Sequence, residues 1–189
     1  MKNIETFLSH DGKKAHSKGA VVPPIYQNSL FTMKDWDDID KAFDDRTNNY
    51  IYSRGNNPSA KIVEEKLARV CGGDTAKLFA SGMGAVSAVM LSCIEKGSHV
   101  VTIKNIYGPA NNILQSYFKP KFGIEITYIS GTDIAEFEKA IQPNTTLIYL
   151  ESPSSVILSL QDLKAVATLA KKQNIKTAID NTWASPLFQ

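Results

Sequence analysis

Residues 99–129 read HVVTIKNIYGPANNILQSYFKPKFGIEITYI, and this stretch decides the fold. Two short runs rich in Val, Ile and Thr, His99 to Ile103 and Glu125 to Ile129, read as strands, and Pro109 to Lys119 between them reads as a helix. A connection of that length is too long for a hairpin and suits the crossover of a βαβ unit with parallel strands. The same alternation continues outward. Before it come helix Ala60 to Cys71, strand Ala76 to Ala80 and helix Gly84 to Ile94. After it come helix Ile134 to Ile141, strand Thr146 to Leu150, helix Leu160 to Gln173 and strand Lys176 to Ile179. Gly72-Gly73-Asp74, Gly97-Ser98 and Pro143-Asn144 mark loops. The pattern predicts an α/β fold with a mostly parallel sheet over residues 60–189.

Residues 1–59 differ. They are polar and aromatic with weak periodicity, and they predict an extended arm with one short helix near Asp35 to Phe43. Such an arm has little core of its own and is expected to lie on a neighbour.

The chain has 21 basic and 19 acidic residues, and no Lys/Arg run tracks a phosphate backbone or an anionic membrane. Nucleic acid and membrane are therefore not expected partners. Cys71 and Cys93 lack a second ligand pair, so neither a metal site nor a disulfide framework is expected. Met1 to His10 has no basic stretch followed by an apolar one, and the expected location is the cytoplasm.

In a parallel sheet ligands gather at the carboxyl ends of the strands, so the residues just after each strand carry the functional information. Ser81-Gly82-Met83-Gly84-Ala85 opens a helix with small residues, which suits a phosphate cup at free N–H groups or, alternatively, a tight turn that needs glycine for packing. Tyr107 could stack on a flat heteroaromatic ligand or be a buried structural tyrosine. Glu151-Ser152-Pro153-Ser154-Ser155 follows the next strand. Asp180, ahead of Asn181-Thr182-Trp183, could keep a pyridine nitrogen protonated or cap a helix. In the arm, Tyr52 and Arg54 alternate along an extended chain and could present a phenol and a guanidinium to a phosphate, or form a solvated turn.

These pieces in this order, Tyr52-x-Arg54 with Asn57-Pro58 behind it, Ser81-Gly82-Met83, Tyr107-Gly108, Glu151-Ser152-Pro153 and Asp180-Asn181-Thr182, resemble the Cys/Met metabolism PLP-dependent enzymes. Val22 to Leu30 also resembles the family's Pro-Pro-Ile-Tyr-Gln-x-Ser segment. The resemblance implies the first half of a fold type I PLP-transferase large domain and pyridoxal 5'-phosphate as cofactor. It further implies a small sulfur-containing amino acid as substrate and a homo-oligomer, a dimer of dimers in the family. By the same resemblance Ser81, Gly82 and Met83 hold the cofactor phosphate, and Tyr107 stacks on the ring. Asp180 pairs with the ring nitrogen, Ser155 stands where an asparagine contacts the ring hydroxyl, and Thr182 lies beside the cofactor. Tyr107 and Asp180 are the catalytic candidates. Tyr52 and Arg54 reach across the interface to the phosphate of a neighbouring subunit.

Three departures from the family pattern refine this. Ser155 replaces the usual asparagine, and Tyr107-Gly108-Pro109-Ala110 replaces the usual Tyr-Gly-Gly-Thr. With Trp183, these resemble the bacterial cystathionine beta-lyases more than the gamma-synthases or methionine gamma-lyases; a gamma-synthase, gamma-lyase or O-acylhomoserine sulfhydrylase is the alternative within the family. The third concerns the family's Schiff-base lysine, which follows the aspartate in a Ser-x-x-Thr-Lys-type motif. Residues 181–189 contain no lysine, and Lys164, Lys171, Lys172 and Lys176 all precede Asp180. The expectation is an N-terminal part of a carbon–sulfur lyase that is inactive by itself, or a truncated, non-catalytic relative with a binding or assembly role. In the family fold the first strand, here Ala76 to Ala80, is separated from the next four by strands from beyond the aspartate.

Overall fold

The computed structural model describes residues 4, 7, 8, 20 and 22–188, so most of the first stretch of the expected arm, with the reading of Met1 to His10, lies outside the described residues. The chain divides into two units, Met1–Leu78 and Phe79–Gln189.

In the first unit, residues 29–31 and 51–53 run antiparallel. Leu30 bridges Tyr52, with Ser53 N–H donating to Ser29 O at 2.9 Å and Phe31 N–H to Ile51 O at 3.3 Å. Helix α1 (Trp36–Asp44) begins at Asp35, whose carboxylate accepts from Asp38 N–H. Helix α2 (Pro58–Val70) begins at Asn57, whose side chain accepts from Ser59 N–H, and Pro58 suits the first turn because its missing N–H would have had no partner there. Among the described residues of this unit only Ala42 and Ala68 are buried apolar ones, while Val22, Ile25, Leu30 and Trp36 are exposed.

The second unit is built on a four-stranded parallel sheet in the order β2-β1-β3-β4, from β1 (His99–Ile103), β2 (Glu125–Ile129), β3 (Thr145–Glu151) and β4 (Lys176–Asp180). Every residue of β1 is buried, as expected of an interior strand covered on both faces. Helices α3 (Gly82–Cys93), α4 (Gly108–Ile113), α6 (Ile134–Ala140) and α7 (Leu163–Lys172) alternate with the strands. The core gathers Met90, Ile103, Leu114, Phe118, Phe137, Leu147, Ile148 and Val166. At the start of β1, His99 is fully buried between two hydroxyls, with Nδ1 at 2.7 Å from Thr145 and Nε2 at 2.8 Å from Thr127, and burial lowers its pKa.

The expected helix Pro109 to Lys119 runs further, from Gly108 through a π segment at Leu114–Phe118 into α5 (Lys119–Phe122). Pro120 has no N–H for the carbonyl four residues back, and the wider turn just before it, closed by Lys119 N–H on Leu114 O, absorbs that defect. Gly123 then ends the helix in the left-handed conformation at φ 63°.

The expected strand Ala76 to Ala80 is a correction: these residues form no ladder. A strand exists only through its partners, and this segment is held instead by Glu64 of α2, which accepts from Leu78 N–H at 3.1 Å and from Lys77 Nζ at 3.0 Å. No helix among the described residues is long and apolar enough to cross a membrane.

Candidate functional site

At the carboxyl end of the sheet, a cavity of about 560 Å³ is lined by Ser81, Gly82, Met83, Tyr107, Ser155, Asp180 and Thr182, together with Val86, Glu151 and Trp183. All the candidates of the second unit thus border one space. Tyr52 and Arg54 belong to the first unit, where they line a separate cavity of about 300 Å³ with Arg46 and Phe43. Arg54 lies over the Tyr52 ring, 5.1 Å from guanidinium carbon to ring centroid, but the segment is a turn and not extended: Gly55 N–H and Asn56 N–H both donate to Tyr52 O, at 2.9 and 3.1 Å.

The cup at the start of α3 follows from helix-end chemistry. Ser81 caps the helix: its Oγ accepts from Gly84 N–H at 3.0 Å and its carbonyl accepts from Ala85 N–H at 3.2 Å. Among the described residues, the N–H groups of Gly82 and Met83 have no partner. The glycines separate the two readings of this loop. A Cβ at Gly84 would stand 3.2 Å from Ser81 Oγ, so that glycine serves the cap. A Cβ at Gly82 would meet nothing within 4 Å, so packing does not require it. Two free donors at the positive end of a helix beside an open glycine fit a phosphate.

Tyr107 is 45% exposed at the cavity, which sets aside the buried structural reading. Its N–H donates to Glu151 Oε2. Asp180 ends β4 and caps no helix, since the next helix starts only at Ser185. Its Oδ1 accepts from Thr182 twice, from the N–H at 3.0 Å and from the hydroxyl at 2.5 Å. None of the described residues donates to Asp180 Oδ2, so one carboxylate oxygen is held while the other is open to a donor.

Glu151 is the residue that the sequence reading quoted without giving it a part. It ends β3 at 3% exposure, directly across from Asp180 in the β3–β4 register. Its pKa is raised, by burial first and by the Asp180 charge, against the lowering effect of the Ser155 and Tyr107 donors nearby. A carboxylate at the carboxyl end of an apolar strand was the available signal, the same one that singled out Asp180. His, Cys, Asp and Glu form no group of three or more suited to a metal ion among the described residues.

This donor set fits pyridoxal phosphate: free N–H groups for a phosphate, an accessible aromatic ring, and a carboxylate oxygen open to a ring N–H. Comparison with known proteins agrees. A family model for the Cys/Met metabolism PLP-dependent enzymes matches residues 5–189. An L-methionine gamma-lyase of Porphyromonas gingivalis is 36% identical over 178 residues, covering 94% of this chain and 44% of that protein. A cystathionine beta-lyase of Staphylococcus haemolyticus is 36% identical over 185 residues, covering 98% and 45%. Among solved structures, a Campylobacter jejuni chain described as an O-acetylhomoserine (thiol)-lyase, with N'-pyridoxyl-lysine-5'-monophosphate, has a TM-score of 0.88 at 30% identity, covering 98% of this chain and 45% of its own. The chain therefore spans about half the length of the curated relatives it matches. The cavity's chemistry, the parallel sheet that positions it and the match over nearly the whole sequence agree: the chain belongs to the Cys/Met metabolism PLP-dependent enzymes.

Proposed function

We propose that the chain is the cofactor-cradling part of a pyridoxal-phosphate-dependent carbon–sulfur lyase acting on a small sulfur-containing amino acid. The reading favours β-elimination, as in cleavage of cystathionine to homocysteine, pyruvate and ammonia with uptake of water. The carrying observation is the meeting of Gly82, Met83, Tyr107 and Asp180 around one cavity. Ser155, Pro109 and Trp183 support the beta-lyase side of the family over the gamma-synthases, gamma-lyases and sulfhydrylases. In this reading residues 1–59 are an arm, residues 60–189 belong to the cofactor-binding domain, and the protein works in the cytoplasm.

When bound, pyridoxal phosphate supplies a ring that withdraws electrons from the substrate's α-carbon. The chain's own residues do the rest of the work assigned here. Gly82 and Met83 give N–H groups to the phosphate, with Ser81 keeping the helix start in place. Tyr107 covers the ring. Asp180, its Oδ1 fixed by Thr182, keeps a proton on the ring nitrogen. Ser155 and Thr182 border the ring. Tyr52 and Arg54 bind the phosphate of a neighbouring subunit in a homo-oligomer, a role that suits an arm with little core. Arg54's place over Tyr52 supports their acting as a pair.

Among the described residues no lysine lines the cavity. We therefore expect this chain, without further sequence, to form no covalent bond with pyridoxal phosphate and to cleave no cystathionine. Borohydride reduction after incubation with the cofactor, followed by peptide mapping, tests this. Label spread thinly over surface lysines is expected, and a single stoichiometric adduct would overturn it. A chain carrying in addition a Ser-x-x-Thr-Lys segment after Asp180 should release pyruvate from cystathionine. A protein so extended that binds the cofactor yet releases neither thiol nor keto acid from any sulfur amino acid would refute the lyase reading.

A further inference from the structure

We propose that Glu151 is a positioning residue that holds the Tyr107 wall of the cavity. The inference rests on the reading of that cavity as the pyridoxal phosphate site. Tyr107 follows β1 and Glu151 ends β3, and the Glu151 carboxylate accepts the Tyr107 N–H. Tyr107 has no side-chain cap of its own at the start of α4; its carbonyl accepts from Asn111 N–H within the helix, and among the described residues Glu151 is what holds its N–H.

A merely structural carboxylate is a poor explanation. Glu151 is 3% exposed, pairs with no Lys, Arg or His among the described residues, and faces a second carboxylate, Asp180, on the next strand. A buried charge without a counter-ion, beside a like charge, destabilises a fold, and an amide or an apolar residue would fill the place at lower cost. Such arrangements are kept where a ligand gains from them. What Glu151 secures here is the placement of Tyr107, two residues beyond Asn105, whose Nδ2 joins the same loop to Ser154 and Ser159.

The test uses the whole chain and pyridoxamine 5'-phosphate, which lacks the aldehyde and so reports non-covalent binding, read by Trp183 fluorescence at the cavity. Glu151→Ala removes the acceptor of the Tyr107 N–H and should weaken binding roughly tenfold or more. Glu151→Gln keeps an acceptor and should stay within roughly threefold of the parent. In a double-mutant cycle, Tyr107→Ala should cost far less in the Glu151→Ala background than in the parent, because the ring has already lost its placement. Additive effects of the two changes, or equal binding by Glu151→Ala and the parent, would overturn the proposal. If Glu151→Ala fails to fold, Glu151→Asp serves, being charged but too short to reach the Tyr107 N–H; parent-like binding by that variant would likewise overturn it. Failure of the parent chain to bind the probe at all would instead refute the cofactor reading itself.

Discussion

Replacing Gly82 with alanine separates fold from site in one experiment. Gly82 is the first residue of α3, its φ lies outside the left-handed region, and a methyl group built there meets no atom within 4 Å. Alanine is thus free of strain, and a glycine-to-alanine change at a compatible helical position stabilises by up to about 1 kcal/mol. Gly82 also borders the cavity, and its N–H is one of the two donors free for an anion. A methyl group beside that donor keeps a phosphate oxygen beyond hydrogen-bonding range. Loss of one charge-assisted hydrogen bond costs about 1.5–3 kcal/mol, which is roughly a ten- to hundredfold weaker complex. Urea unfolding and titration with pyridoxamine 5'-phosphate on the same preparation read both effects. The expected outcome is stability equal to the parent or up to about 1 kcal/mol higher, with binding at least roughly tenfold weaker. A variant that folds equally well and binds with unchanged affinity would refute the phosphate's approach to Gly82, and one destabilised by several kcal/mol would refute the claim that packing does not need the glycine.

Gly131→Ala should behave in the opposite way, because φ is +78° and the new methyl carbon would lie 2.5 Å from the Ile103 side chain in the core. Strain and overpacking together should destabilise by about 2–4 kcal/mol in a urea or thermal melt, and a loss under about 1 kcal/mol would mean that the loop moves freely. His99 is held neutral by burial, so its pKa in the folded chain lies below 6.5; its contribution is complete above that pH and falls as the pH drops below it, when the unfolded chain binds a proton that the folded chain excludes. Unfolding free energies measured from pH 8 to pH 5 should show that decline, and His99→Asn should flatten it; equal slopes would exclude His99 as its source. Arg54→Ala should leave the melt of the isolated chain within about 0.5 kcal/mol, since Arg54 is exposed and its recorded contact is the Tyr52 ring. In an assembled oligomer it should weaken cofactor retention tens-fold, by about 1.5–3 kcal/mol, and unchanged retention would refute the trans-subunit role.

The regular part of the fold was legible because its signals are local. β1 and β2 begin and end where their Val, Ile and Thr runs do, and Asp133 and Asn57 cap the helices that follow them. Ala76 to Ala80 was misread for the opposite reason. Its apolar composition is that of a strand, but strand formation depends on a partner that composition does not contain, and Glu64 takes its backbone instead. The start of α7 was placed early, at Leu160 instead of Leu163, because apolar Leu160 is 67% exposed and Asp162 supplies the cap two residues later. Around the cavity, each residue standing alone after a strand could be noticed one at a time. Glu151 could not be given its part, because its bonds to Tyr107 cross 44 residues of sequence. The same holds for the pairing of Thr182 with only one oxygen of Asp180, which depends on the turn's geometry.

β4 is one of the two outer strands of the sheet among the described residues, and Asp180 is its last residue. An outer strand has a ladder on one side only, so it is among the first parts of a sheet to exchange its amide hydrogens with solvent. Glu151 ends the neighbouring strand, which is laddered on both sides as far as Tyr149, but its own register partner is Asp180. The two facing carboxylates are therefore carried by strands held unequally, one paired along most of its length on both sides and one on a single side. Any extended segment that zips onto the free side of β4 would stiffen Asp180 and narrow the range of positions a ring nitrogen must find. Cofactor affinity and completion of the sheet would then be thermodynamically linked: whatever tightens one tightens the other by the same factor, even with no new contact to the cofactor.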